Sequence, residues 1–210
     1  TFAMTTTAEA FQLAFRHHQA GQLREAEAIY RGILQREPEH VDALHLLGLV
    51  AYQVRRYDLA IDLIAKAVRL SGDRALFHGN LGEAYRPAGK LGEAEQHLRR
   101  ALQLDPNLPD VYSNLGNVLR ATDRPDEAIA AFRQALRLKA SFPEAHNNLG
   151  SMRQQQGDMA ATMEHFRRAL SANPQCAEAY NNLGTAWQEL GDDEQALSNY
   201  DHSIRLRPDF

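Results

Sequence analysis

The residues able to do chemistry in this chain fall into columns. The position before a Leu-Gly pair, or its equivalent, reads Gln12, Leu46, Asn80, Asn114, Asn148 and Asn182, so four amides recur at a step of 34 residues. A primary amide donates and accepts at once, which is the chemistry needed to hold an extended peptide backbone whatever its side chains. The same amides could instead bond a neighbouring helix or their own backbone, and at this stage both readings stand. Asn147 and Asn181 precede two of them and Asn117 lies one turn past Asn114, so these three join the candidate set.

Two further columns follow at helical spacing. One turn on come Phe15, Leu49, Glu83, Asn117, Ser151 and Thr185; the next turn gives His18, Tyr52, Arg86, Arg120, Gln154 and Gln188. Phe15 and Tyr52 make the early end aromatic, Arg86 and Arg120 charge the middle, and the late end is neutral and polar. A partner fitting this order anchors an apolar side chain early and an acidic one midway.

Other chemistry is thinner. There is no Gly-Lys-Ser/Thr phosphate loop, no Gly-x-Ser-x-Gly elbow and no His-Glu-x-x-His helix, so no catalytic residue is expected. The carboxylate runs Asp192-Asp193-Glu194 and Glu25-Ala26-Glu27 stand where second helices start, and negative charge there suits the helix dipole. Among nine histidines, His78 and His146 share one column and His97 and His165 another, which reads as packing or surface. His17 and His18 are adjacent and point about 100° apart on a helix, unsuited to one ion. No metal and no cofactor are expected. Cys176 is the single cysteine, which excludes an intrachain disulfide and a cysteine zinc site. A net charge of −4 and a pI near 6.1 argue against a nucleic-acid binder. No run approaches the roughly 20 apolar residues of a membrane helix, so a cytoplasmic protein without membrane contact is expected. Thr1-Phe2-Ala3 ahead of Met4 reads as a tag remnant, with residues 1–6 a lead-in.

The elements that position these columns repeat without slippage. Cutting at the implied frame gives 7–40, 41–74, 75–108, 109–142, 143–176 and 177–210, one continuous domain. In the fourth unit, Val111, Tyr112, Leu115, Val118 and Leu119 form one helical stripe, and Ile129, Phe132, Ala135, Leu136 and Leu138 another. Gly21, Gly89, Gly157 and Gly191 suit the turn between such helices, and Pro38, Pro106, Pro174 and Pro208 end the second. The Gly after Leu (Gly48, Gly82, Gly116, Gly150, Gly184) costs about 1 kcal/mol mid-helix, so a packing reason is expected. Its expected counterpart is the small column Ala26, Ala60, Ala94, Ala128, Thr162 and Ala196, small against small, with Tyr30, Ile64, Leu98, Phe132, Phe166 and Tyr200 one turn on. One hairpin cannot bury such a face alone; stacked neighbours can.

These residues resemble an array of tetratricopeptide repeats over 7–210: the Leu-Gly pair, the aromatic three residues on at Tyr85 and Trp187, the Ala and bulky columns and the terminal Pro, all at the family's period. Departures are local: Ala14 for Gly, Gly72 and Ala140 for Pro, Thr162 for Ala. The resemblance implies an all-α fold, an α-solenoid wound as a right-handed superhelix of six helix-turn-helix repeats. First helices would line its concave groove, and a protein or peptide ligand would bind there. Ala145-His146-Asn147-Asn148-Leu149-Gly150 and Ala179-Tyr180-Asn181-Asn182-Leu183-Gly184 further resemble the repeat arm of O-linked N-acetylglucosamine transferases. That resemblance implies a substrate-backbone role for Asn80, Asn114, Asn148 and Asn182, and a catalytic domain outside this chain. Repeat clamps that seize a terminal carboxylate pair Lys with Asn, and Lys66, Lys90 and Lys139 all miss the first-helix columns. Two local expectations remain. Pro87 should kink or end its helix, and a chain stopping at Phe210 without a polar closing helix reads as a fragment or as an end covered by another copy, which allows self-association.

Overall fold

The computed structural model describes residues 6–208, so the tag remnant, the lead-in before Thr6 and Phe210 lie outside the described residues. The chain forms two compact units, residues 1–106 and 107–210. The first holds α1 (Thr7–Gln19), α2 (Leu23–Arg36), α3 (Val41–Gln53), α4 (Tyr57–Ser71), α5 (Ala75–Tyr85) and α6 (Leu91–Leu104). The second holds α7 (Pro109–Ala121), α8 (Pro125–Leu138), α9 (Pro143–Gln155), α10 (Met159–Ala172), α11 (Ala177–Glu189) and α12 (Asp193–Leu206). Each unit is three helical hairpins, and no strand occurs among the described residues.

Helix starts follow from local chemistry. Thr6 and Glu9 form a reciprocal capping box at 3.2 and 2.9 Å, satisfying two N–H groups the first turn leaves open. Asp158 and Asp192 each accept from the backbone three residues on, both at 3.1 Å. Pro109, Pro125 and Pro143 open α7, α8 and α9, where a missing N–H costs nothing. Pro87 acts as expected: α5 has 11 residues where α3 and α7 have 13. It ends at Tyr85, and the chain closes by Gly89 N–H to Arg86 O at 3.0 Å and Lys90 N–H to Tyr85 O at 3.1 Å.

In the five hairpins with a mid-helix Gly, the close approach involves the bulky column as well as the expected small one. The mid-helix Gly lies under the bulky column: a Cβ on Gly116 would stand 2.6 Å from Phe132 Cε1, and one on Gly150 2.6 Å from Phe166 Cε1. The Ala column contributes its backbone in three of these hairpins, Ala60 O, Ala94 O and Ala196 O standing 3.3, 3.0 and 3.2 Å from a Cβ built on Gly48, Gly82 and Gly184. Ile64 and Leu98 in the first unit and the rings of Phe132, Phe166 and Tyr200 in the second fill the space that the glycines vacate, and Phe132 and Phe166 are fully enclosed. Stacking then buries the outer faces: Ala14, Ala26, Tyr30 and Ile33 pack with Ala43, Leu47 and Val50 of the next hairpin, and Met163 and Phe166 pack with Leu183 and Ala186.

Candidate functional site

The first helices of each unit touch the first helix of the next hairpin, α1 on α3 on α5 and α7 on α9 on α11. The candidate residues lie along this line, and the structure divides them.

In the first unit, the Asn80 amide nitrogen donates to His45 Nε2 at 2.8 Å, back on α3. His45 is buried and stacks on Phe77, centroids 4.0 Å apart. Burial pushes its pKa down to about 4, with Asp42 raising it and Arg74 lowering it less, so it is a neutral acceptor. Tyr52 is half-buried, and its hydroxyl bonds the Glu83 carboxylate; burial, then that carboxylate's charge, push the phenol up to about 12. Phe15 is exposed at 37%, and Arg86 caps α5 and is exposed.

In the second unit, the Asn182 amide nitrogen donates to Asn147 Oδ1 at 3.0 Å and reaches Ser151 Oγ at 3.4 Å. Gln154 Nε2 donates to Glu189 Oε1 at 2.8 Å further along the same two helices. Asn147 and Asn148 are buried, 3% and 8% exposed, whereas Asn114, Asn117, Asn181 and Asn182 are half-buried. Asn114 and Asn148 hold no side-chain hydrogen bond among the described residues. Neither carries a sealed amide atom, the sealed and unpartnered side-chain atoms among the described residues being Tyr30 Oη and His78 Nε2. Arg120 is exposed on α7. The amide column therefore splits into two half-buried residues that bridge helices, Asn80 and Asn182, and two without a side-chain hydrogen bond, Asn114, which is half-buried, and Asn148, which is 8% exposed.

The sequence reading missed the acceptors. The signal was the residue 35 positions back, His45 for Asn80 and Asn147 for Asn182. The three lysines are spent locally: Lys66 Nζ donates to Pro38 O at 2.9 Å, and Lys90 and Lys139 sit over the Tyr85 and Phe142 rings at 6.0 and 4.4 Å. Among the described residues no group of three or more His, Cys, Asp or Glu is placed to hold a metal ion, and no helix is long and apolar enough to cross a membrane.

Hairpins of this length, glycine seated under a bulky side chain and repeated at a fixed step, define a tetratricopeptide-repeat solenoid, a class of protein-interaction scaffold. The family described as the "Cilia and flagella-associated protein 70 C-terminal domain" matches residues 4–209, and the chain belongs to it. A TPR repeat-containing protein of Pseudomonas aeruginosa, PA4667, is 37% identical over 86 residues, 40% of this chain and 15% of that protein. The probable UDP-N-acetylglucosamine–peptide N-acetylglucosaminyltransferase SEC of Arabidopsis thaliana is 34% identical over 82 residues, 39% of this chain and 8% of that one. The chain thus matches only a small part of either relative. Among solved structures, the APC/C hetero-tetramer Cut9-Hcn1 contains a chain that superposes with a TM-score of 0.90 at 17% identity, over 98% of this chain and 41% of that one, a likeness of fold alone.

Proposed function

We propose that the chain binds an extended peptide or partner segment along its first helices, with no chemistry of its own and no cofactor, in a cytoplasmic setting. The observation that carries this is the state of Asn114 and Asn148: amides in successive hairpins of one unit, lacking the partners that occupy Asn80 and Asn182. A helix-bridging amide is structural, whereas one with no side-chain partner and no atom sealed from solvent can offer both its donor and its acceptor to a peptide unit. Asn117 and Asn181 widen the polar strip, Arg120 offers a guanidinium for an acidic side chain, and in the other unit Phe15 and Tyr52 offer aromatic surface, with Arg86 within electrostatic reach of Tyr52.

The test is selection of binding peptides from a displayed random library, followed by titration calorimetry of the selected peptides on Asn114→Ala plus Asn148→Ala. A loss of tenfold or more supports the reading; unchanged affinity, or no selectable peptide, removes it.

A second reading is favoured by the likeness to the Arabidopsis transferase: the chain is the substrate-selecting arm of a larger glycosyltransferase, its amides holding acceptor peptides. A reading frame that continues past Phe210 into a nucleotide-sugar-binding α/β region would support it, and a native stop near residue 210 would remove it. Self-association through the ends of the array is a separate expectation, checked by mass against concentration in light scattering.

A further inference from the structure

Two pairs of imidazoles meet across the helices of single hairpins. His78 on α5 and His97 on α6 bring their Nδ1 atoms to 2.9 Å, with ring centroids 5.1 Å apart. His146 on α9 and His165 on α10 do the same at 3.1 Å and 5.3 Å. The pairs occupy the same two columns, two repeats apart, one in each compact unit. His78 and His146 are buried, 7% and 5% exposed, while their partners on the second helices are half-exposed.

A bond between two Nδ1 atoms needs one protonated and one bare nitrogen. The surroundings of His146 settle which is which. Its Nε2 lies 3.0 Å from the Ala140 carbonyl oxygen, so Nε2 carries hydrogen, the neutral ring has a bare Nδ1, and His165 donates from its own. In the other pair His78 Nε2 makes no hydrogen bond, but the Asp73 carboxylate lies on that side at 3.5 Å, which favours a hydrogen on Nε2 and hence His97 as the donor. A first added proton goes to the far Nε2 of His97 or His165 and leaves the shared bond intact. A second has only the bare Nδ1 of His78 or His146, inside the gap, where two N–H groups would then face each other.

The charges facing each pair are mixed. Around the first, the Asp73 carboxylate favours a cation on His78, Arg100 opposes it, and the Tyr85 ring stacks on His97 with centroids 5.6 Å apart. Around the second, Glu164 favours protonation, while Arg168 and Arg153 oppose it. Burial is the largest influence on all four rings and holds each below the ordinary imidazole value, His165 at about 4.

We propose that His78–His97 and His146–His165 are two-proton latches: each clasps the helices of its hairpin while one proton lies between the rings, and releases them when both rings become cations. Because the folded pKa values lie below the unfolded one, the unfolded chain binds more protons. The latches' contribution is complete above about pH 6.5 and is lost as pH falls from there through the lowered values.

The chain supplies its own control, since the fourth repeat carries Tyr112 and Ala131 in these columns. The double variants His78→Tyr/His97→Ala and His146→Tyr/His165→Ala therefore place a compatible pair in each hairpin. Urea midpoints from pH 7.5 to 4 are expected to fall steeply for the parent, with proton uptake on unfolding reduced by up to two for each pair replaced. Nitrogen-15 shifts of the imidazoles in the parent at pH 7.5 are expected to show Nε2–H on His78 and His146 and Nδ1–H on His97 and His165. An Nε2–H tautomer on both rings of a pair overturns the latch whether or not a variant folds. So does an unchanged midpoint-against-pH curve when both pairs are replaced.

Discussion

The Asn182 amide nitrogen donates to Asn147 Oδ1 at 3.0 Å, tying α11 to α9 through a residue 35 positions earlier in the chain. Asn147 is 3% exposed, so removing its donor strands an oxygen that water reaches poorly. Asn182→Ala should cost about 1–2 kcal/mol of unfolding free energy, in the range for a broken, partly buried hydrogen bond. Asn114→Ala, which breaks no such bond, should stay within about 0.5 kcal/mol. Urea denaturation of the two variants checks the contrast, and equal losses would refute the division of the column into bridging and unpartnered amides.

Gly116 under Phe132 gives a second prediction. A Cβ there would meet three ring carbons between 2.6 and 2.8 Å, and the enclosed ring has little room to withdraw. Overpacking of this kind costs about 1–3 kcal/mol, against the roughly 1 kcal/mol that Ala gains over Gly in a helix. The first hairpin already carries Ala14 opposite an enclosed Tyr30, so an alternative spacing exists. Gly116→Ala should therefore lose up to about 2 kcal/mol without abolishing folding, read as a lowered melting temperature.

Hairpin lengths, turn glycines, terminal prolines and the stop at Pro87 were legible because each acts through its own backbone. The opposition of columns was not. Gly116 and Ala128 read as natural partners by size, yet the two helices set the Gly beneath Phe132, and only the crossing of the axes determines which residue lies opposite. The amide column failed differently. Four identical residues share it, and within each unit what separates them is the neighbour 35 back: His45 and Asn147 accept, whereas Ser113, 35 before Asn148, makes no such bond. The histidine pairs were visible as two columns, but their meeting depends on the same helix crossing.

Arg55 and Asp123 take the turn position that Gly fills in the other four hairpins, with φ of 60° and 56°. A side chain in the left-handed region costs about 1–2 kcal/mol, and less for Asp. Replacement by Gly relieves this but loosens the unfolded chain by about 0.4–1 kcal/mol. Arg55→Gly should gain about 0.5–1 kcal/mol and Asp123→Gly less, measured by calorimetry; a loss in Arg55→Gly would place the strain elsewhere.

His45 offers the cleanest pH test because one substitution removes its charge and keeps its bond. Its Nε2 accepts from Asn80 at 2.8 Å in a buried site that depresses its pKa to about 4. Since the unfolded ring titrates near 6.5, the unfolded chain binds the extra proton, and stability rises with pH across that window. His45 thus contributes fully above about pH 6.5, and acidification to about pH 4 removes a share of up to about 3 kcal/mol. Asn147 occupies the same column and accepts through Oδ1, so His45→Asn should hold the bridge to Asn80 without titrating. Its stability at pH 7.5 should lie within about 1 kcal/mol of the parent, with a shallower fall between pH 6.5 and 4. Parallel curves for the two proteins would show that His45 is not the group being protonated.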